Sequence, residues 1–249
     1  MNEVLKVTLK KYVTIFLNEY RNYLSKEQIN ILENINYDTI IKFNDTCNPL
    51  GCVSYNQMYL STNFINLEKE IKAIDGYGSV NRLINNKSLK GYLEQTWQVG
   101  YNSTSYYKDI LIYLLFKLVC KYDSGLMNGI INYEVSVISR KYNIQLPNFY
   151  RKEELIALKL CGIIGKENIR KVLFLDKASG YKYLCNTVGY RFANLFYEVD
   201  DLINIKTESL FETEYNNNEG LVNYASDYDS ITYGDVYNSI LDFEAQNIL

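Results

Sequence analysis

The chain has 249 residues, of which 47% are apolar and 14% aromatic, enough to bury a sizeable core as one large domain or two small ones. It contains no histidine, which removes the side chain most often used as a general base and as a metal ligand at neutral pH. The formal charge of −3 conceals an asymmetry: residues 1–206 hold all 26 bases and twenty acids, a formal +6, whereas nine acids and no base follow, a formal −9.

Residues 2–24 place Val4, Leu5, Tyr12, Val13, Phe16, Tyr20 and Leu24 at spacings suited to one face of an amphipathic helix. Lys6, Lys10 and Lys11 interrupt this apolar pattern, and no charged segment, apolar block and small-residue cleavage site follow in order. The segment therefore does not resemble a secretory signal, and a cytoplasmic protein is expected. Ser25 and Gln28 have the capping-box spacing that opens a second helix, through Ile35. Two β-like runs, 39–43 and 52–60, flank a stretch rich in turn formers and predict a hairpin or small sheet.

Helices are expected next over 64–74, 79–86 and 88–98, and then a central helix over 104–122. Because 110–119 is apolar on nearly every face, that helix is predicted to be surrounded by other elements. The run is far shorter than the ~20 residues that span a bilayer, and it carries Lys117. Further helices are expected over 128–142, 151–161, 167–175 and 181–203, with Gly125, Pro147, Gly162, Gly165 and Gly180 as punctuation. From Thr207 the text turns acidic and rich in Tyr and Asn, and Val236, Tyr237, Ile240, Leu241 and Phe243 suit a short docking helix near the end.

These elements predict a predominantly helical α+β protein, with a small sheet or hairpin near residues 39–60 packed beside a buried central helix, 104–122. Residues 1–206 are expected to form a basic, mainly helical globular domain, and 207–249 an acidic appendage. The abundance of Asn, Ile, Tyr and Lys, with only Pro49 and Pro147, reads as the codon bias of an AT-rich microbial or phage genome. Cysteines at 47, 52, 120, 161 and 185 lack regular pairing and read as reduced thiols; the Cys47 and Cys52 pair lacks the further soft ligands of a zinc site. The Lys and Arg residues are scattered over many helices and read as solvated surface rather than a nucleic-acid interface. An exposed set of tyrosines would suit a protein interface.

The middle of the chain carries a resemblance. The segment Asp109-Ile-Leu-Ile-Tyr-Leu-Leu-Phe-Lys-Leu118, followed by Leu126-Met-Asn-Gly-Ile-Ile-Asn-Tyr133 and Ser139-Arg-Lys-Tyr142, resembles the active-site region of gluzincin-type zinc metallopeptidases. The likeness of layout spans roughly residues 25–175. In that family a buried helix carries HExxH, and a second helix begins with an NEGxxEY-like run. Residues i and i+4 share one helical face, so two His bind one zinc, the intervening Glu activates water, and an acid from the next helix completes the site.

Here Tyr113 stands at the first His position, Leu114 at the general-base Glu, and Lys117 at the second His. Asn128 matches the Glu of NEG and Asn132 the later Glu, while Gly129 and Tyr133 fit the pattern. The resemblance thus implies the scaffold without its chemistry: an ammonium at Lys117 repels a dication, and neither Leu nor Asn serves as a general base. Glu134 is a candidate partner for Lys117, which would otherwise snorkel to the surface. No catalytic residue, metal or cofactor is expected, and the implied function is a non-catalytic protein-binding or regulatory one with a protein partner, without nucleic acid or membrane. Two alternatives stand beside it: an unrelated helical interaction or immunity-type protein, and an enzyme working through Asp, Glu, Lys, Tyr or Cys.

Overall fold

The computed structural model describes residues 2–44, 51–62, 103–144, 151–216 and 233–247. Among these are nine helices and one three-stranded sheet, 74% helical in all, which is the predominantly helical α+β class that the periodicities predict. The helices expected over 64–74, 79–86 and 88–98, together with Cys47 and Pro147, lie outside the described residues. The chain divides into two compact units, Met1–Val119 with Ile144–Pro147, and Cys120–Asn143 with Asn148–Leu249.

The first unit opens with α1 (Asn2–Tyr20), whose buried stripe is Leu5, Leu9, Tyr12, Val13, Phe16 and Tyr20. Val4 belongs outside that stripe and is 46% exposed, because it lies one position off the face that Leu5, Leu9 and Phe16 define. Ser25 caps α2 (Lys26–Glu33) through the expected capping box: Gln28 N donates to Ser25 Oγ at 3.2 Å and Ser25 N to Gln28 Oε1 at 2.7 Å. The same Gln28, buried, donates from Nε2 to the Val119 carbonyl at 2.7 Å. One side chain therefore starts α2 and satisfies an otherwise orphan carbonyl at the end of the central helix, α3 (Ser103–Val119). Helices α1 and α3 pack together, with Phe16 and Tyr20 meeting Phe116 edge-on at centroid distances of 4.7 and 5.0 Å.

The run 52–60 is two strands rather than one. Strands β2 (Cys52–Ser54) and β3 (Gln57–Ser61) form a hairpin through Tyr55 and Asn56, both left-handed at φ 49° and 57°, the two-residue turn whose twist matches paired strands. Strand β1 (Ile41–Asn44) pairs in parallel with β3, giving the order β1-β3-β2. Strands β2 and β3 lie on α3. Met58 and Leu60, alternate residues of β3, are wholly buried. Gly51, at φ 74°, stands where a Cβ would lie 2.6 Å from the Tyr59 carbonyl and 3.2 Å from a Leu114 methyl; only glycine fits that approach.

The second unit is all helical among the described residues: α4 (Gly125–Tyr142), α5 (Arg151–Ile164), α6 (Lys166–Leu173), α7 (Lys177–Thr187), α8 (Tyr190–Asn216) and α9 (Tyr233–Asn247). Ser124 caps α4 by accepting from Met127 N at 3.1 Å, and Asp176 caps α7 by accepting from Ser179 N at 2.9 Å. The expected helix over 181–203 is two helices, broken at Gly189 with φ 99°. Gly180 does not punctuate; it is buried within α7, where the Tyr197 hydroxyl of α8 occupies the space of a side chain. The compositional boundary at 206 falls inside α8. Helix α9 packs on α5 and α8, burying Val236 and Ile240 and setting Phe243 edge-on to Phe192 at 5.4 Å. Tyr237 and Leu241, on the other face, are each 38% exposed. Among the described residues, no helix is long and apolar enough to cross a membrane.

Candidate functional site

The five positions singled out by the resemblance are divided between the units. Tyr113, Leu114 and Lys117 lie on α3 in the first; Asn128 and Asn132 lie on α4 in the second. On α3, Tyr113 is buried, Leu114 is wholly buried with its methyl groups beneath Gly51, and Lys117 is half-buried one turn on. Position 114 is thus a packing position beside the small sheet.

On α4, Asn132 is buried and donates from Nδ2 to Glu154 Oε2 of α5 at 2.7 Å. Ser136, one turn further, donates from Oγ to Glu154 Oε1 at 2.8 Å. Both oxygens of one carboxylate are held by residues spaced i and i+4. The helices come this close because Gly129, on the same face, has no side chain: a Cβ there would stand 2.5 Å from the Glu153 carbonyl. The Gly and Asn of the NEG-like run therefore clamp α4 to α5. Asn128 is half-buried near the start of the same helix.

Glu134 is engaged within its own unit, by Arg170 of α6. The guanidinium grips the wholly buried carboxylate from two nitrogens, Nε at 3.0 Å from both oxygens and Nη2 at 2.8 Å from Oε2. Desolvation on this scale is offset only by such paired, charge-assisted hydrogen bonds. Near this pair, burial pushes the Cys161 thiol up to about 12, and the Glu134 charge adds to the shift. The thiol stays protonated at neutral pH and is no nucleophile.

A third cluster joins the start of the unit to α8. Asp200 is wholly buried, and the Tyr122 hydroxyl donates to its Oδ2. Desolvation raises the Asp200 carboxyl above its ordinary value, against the opposing pull of the Ser124 and Tyr122 hydroxyls and the Lys177 charge. Lys177 sits 5.6 Å from the Tyr122 ring centroid and 5.8 Å from that of Tyr197, while pairing with Asp201 at 2.8 Å. Burial raises the Tyr122 and Tyr197 phenols as well. The raised carboxyl thus lies beside two raised phenols.

Sequence reasoning passed over Asp200, yet the signal was present: it occupies the i+4 place between Phe196 and Ile203, both wholly buried. Among the described residues, no three Asp, Glu, Cys or His side chains gather as a metal site would require. The chain matches no protein family, no curated protein and no solved structure.

Proposed function

We propose that this chain is a cytoplasmic, non-catalytic protein that acts by binding another protein, on a scaffold resembling a zinc metallopeptidase that has lost its metal site. The observation that most supports this reading is position 114. Leu114 stands where the resemblance asks for a general-base carboxylate, and it is wholly buried beneath Gly51 on a helix that carries β2 and β3, a place where an ionised side chain would be costly. Asn132 supports it in the same sense, since its amide serves to hold α5. The acidic C-terminal helix, docked through Val236 and Ile240 and by the Lys159–Glu244 ion pair, fits a regulatory role in which it covers or uncovers part of the second unit.

The test uses the intact chain. Elemental analysis after incubation with zinc and dialysis is expected to find no stoichiometric metal, and a mixed fluorogenic peptide pool is expected to remain uncut. Stoichiometric zinc or turnover of peptide overturns the non-catalytic reading. For the binding half, a partner found by crosslinking is to be purified and titrated against the chain, with a saturable one-to-one complex expected.

A second reading is favoured by Asp200: an enzyme with His-free acid chemistry, in which Asp200 donates a proton and Tyr122 positions it. Under that reading Asp200→Asn abolishes an activity while leaving the fold intact. Under the binding reading the substitution changes only the pH dependence of stability.

A further inference from the structure

The first unit contains a cavity of about 240 Å³ beside the end of α2, the hairpin turn and the end of α3. Its described lining is uncharged throughout and contains no aromatic ring. Thr39 and five amides, Asn30, Asn34, Asn36, Asn56 and Gln57, form its polar part, and three isoleucines with Leu118 its apolar part.

The amides are oriented by the protein's own hydrogen bonds. Asn34 Nδ2 donates to the Asn30 backbone carbonyl at 2.9 Å and to Asn30 Oδ1 at 2.7 Å. Because a carbonyl only accepts, this fixes which end of Asn34 is nitrogen, and hence that Asn30 offers its oxygen here. Asn36 Oδ1 accepts from the Asp38 backbone N–H at 3.0 Å, and Gln57 Oε1 from the Tyr59 hydroxyl at 3.2 Å. An oxygen is thus engaged at Asn30, Asn36 and Gln57, whose NH2 groups serve as donors, whereas Asn34 spends its NH2 and keeps its oxygen as an acceptor.

We infer that this cavity binds an extended, uncharged, aliphatic peptide segment of a protein partner. The inference rests on the protein-binding reading above and names the chemistry of the partner. Three donors and an acceptor around an aliphatic floor match a main chain, which offers carbonyls and N–H groups in alternation while sending every second side chain to one face. A phosphate or carboxylate ligand would meet no cation in this lining. A sugar would find no aromatic face among the described lining residues. The volume is also below the roughly 300–1,000 Å³ that encloses a drug-sized molecule, so the cavity takes one short stretch of a chain.

The experiment titrates the full-length, ¹⁵N-labelled chain with the capped peptide acetyl-Ala-Ile-Ala-Ile-amide and follows the side-chain NH2 signals. Saturable shifts are expected at Asn30, Asn36 and Gln57, with a dissociation constant below about 1 mM. The variants Asn36→Asp and Gln57→Glu keep the oxygens that accept from Asp38 N–H and Tyr59 OH while removing the donors. Each is expected to weaken binding roughly tenfold with an unchanged thermal midpoint. N-acetylglucosamine and inorganic phosphate are the comparison probes. Absence of saturable shifts, equal binding by both variants, or tighter binding of either comparison probe overturns the assignment. A partner bound elsewhere with these signals unmoved sinks the groove alone, whereas stoichiometric zinc or peptide turnover sinks the broader reading and leaves the titration's result standing.

Discussion

Among the described residues, where the first unit takes a polar side chain out of water it takes a neutral one, Gln28 or Ser61, whereas the second unit buries the carboxyl groups of Glu134 and Asp200 completely. The difference follows from what each group completes. Gln28 finishes backbone hydrogen bonding, joining the start of α2 to the end of α3, so its desolvation is matched by bonds that the backbone needed in any case. Glu134 instead joins two helices: the Arg170 guanidinium grips it, and the pair fixes α6 against α4. Asp200 is the intermediate case, a carboxyl with hydroxyl donors and a cation nearby but no guanidinium grip. The second unit thus has more to lose when one partner is removed, and its stability depends more on pH.

The largest effect is expected from Arg170→Ala, which takes the guanidinium away from the buried Glu134 side chain and should cost about 3–5 kcal/mol in urea denaturation. Replacing both residues by methionine should recover most of that loss. A double variant as unstable as the single would mean that Arg170 contributes by packing rather than by charge. In the first unit Gln28→Ala removes a helix cap and leaves the Val119 carbonyl without its donor, for an expected loss of about 1–3 kcal/mol with no dependence on salt. If Gln28→Ala proves more damaging than Arg170→Ala, the contrast between the units is inverted.

The capping box at Ser25 was legible because it is complete within four residues, and the central helix because an all-round apolar run has few other solutions. The hairpin turn was hidden by Tyr55, a bulky residue held at a left-handed φ of 49° where Gly, Asn or Asp would have announced it. Gly180 is expected as punctuation and Gly189 drew no reading, since a glycine that admits a neighbour and one that breaks a helix look alike until the neighbour, here Tyr197, is known. The Glu134–Arg170 pair joins residues 36 apart on different helices, and no local pattern encodes it. Of the candidate site, sequence identified Asn132 as a position of interest but not its attachment to Glu154, because the helix that carries Glu154 reaches it only through the close approach at Gly129.

Asp200 contributes a pH dependence to the second unit. Its folded carboxyl lies above the ordinary value, so the fold prefers the protonated form. The stability that this confers is fully present below the unfolded carboxylate value near ~3.9 and is lost as pH rises through the raised folded value. Asp200→Asn removes the titration while keeping an acceptor for Tyr122. The variant should show a flatter dependence of unfolding free energy on pH above about 4 and should be more stable than the natural chain at pH 7. A variant less stable at pH 7 would show that Ser124, Tyr122 and Lys177 stabilise the carboxylate more than burial opposes it.

The smallest effect concerns α9, where an ion pair and an apolar seam act together. Lys159 and Glu244 keep 23% and 35% of their side-chain surface in water, and partly exposed pairs contribute little after screening and side-chain ordering. A double-mutant cycle of Lys159→Met and Glu244→Gln should therefore give a coupling below about 1 kcal/mol that disappears near ~1 M salt. Val236 and Ile240 are essentially buried on the same helix and owe nothing to salt, so α9 should stay docked in high salt although the pair is gone. Limited proteolysis between α8 and α9 as salt is raised separates the two contributions: release of the acidic helix by salt alone would mean that charge, not the Val236 and Ile240 seam, holds it, and would make the second unit electrostatic at its edge as well as in its core.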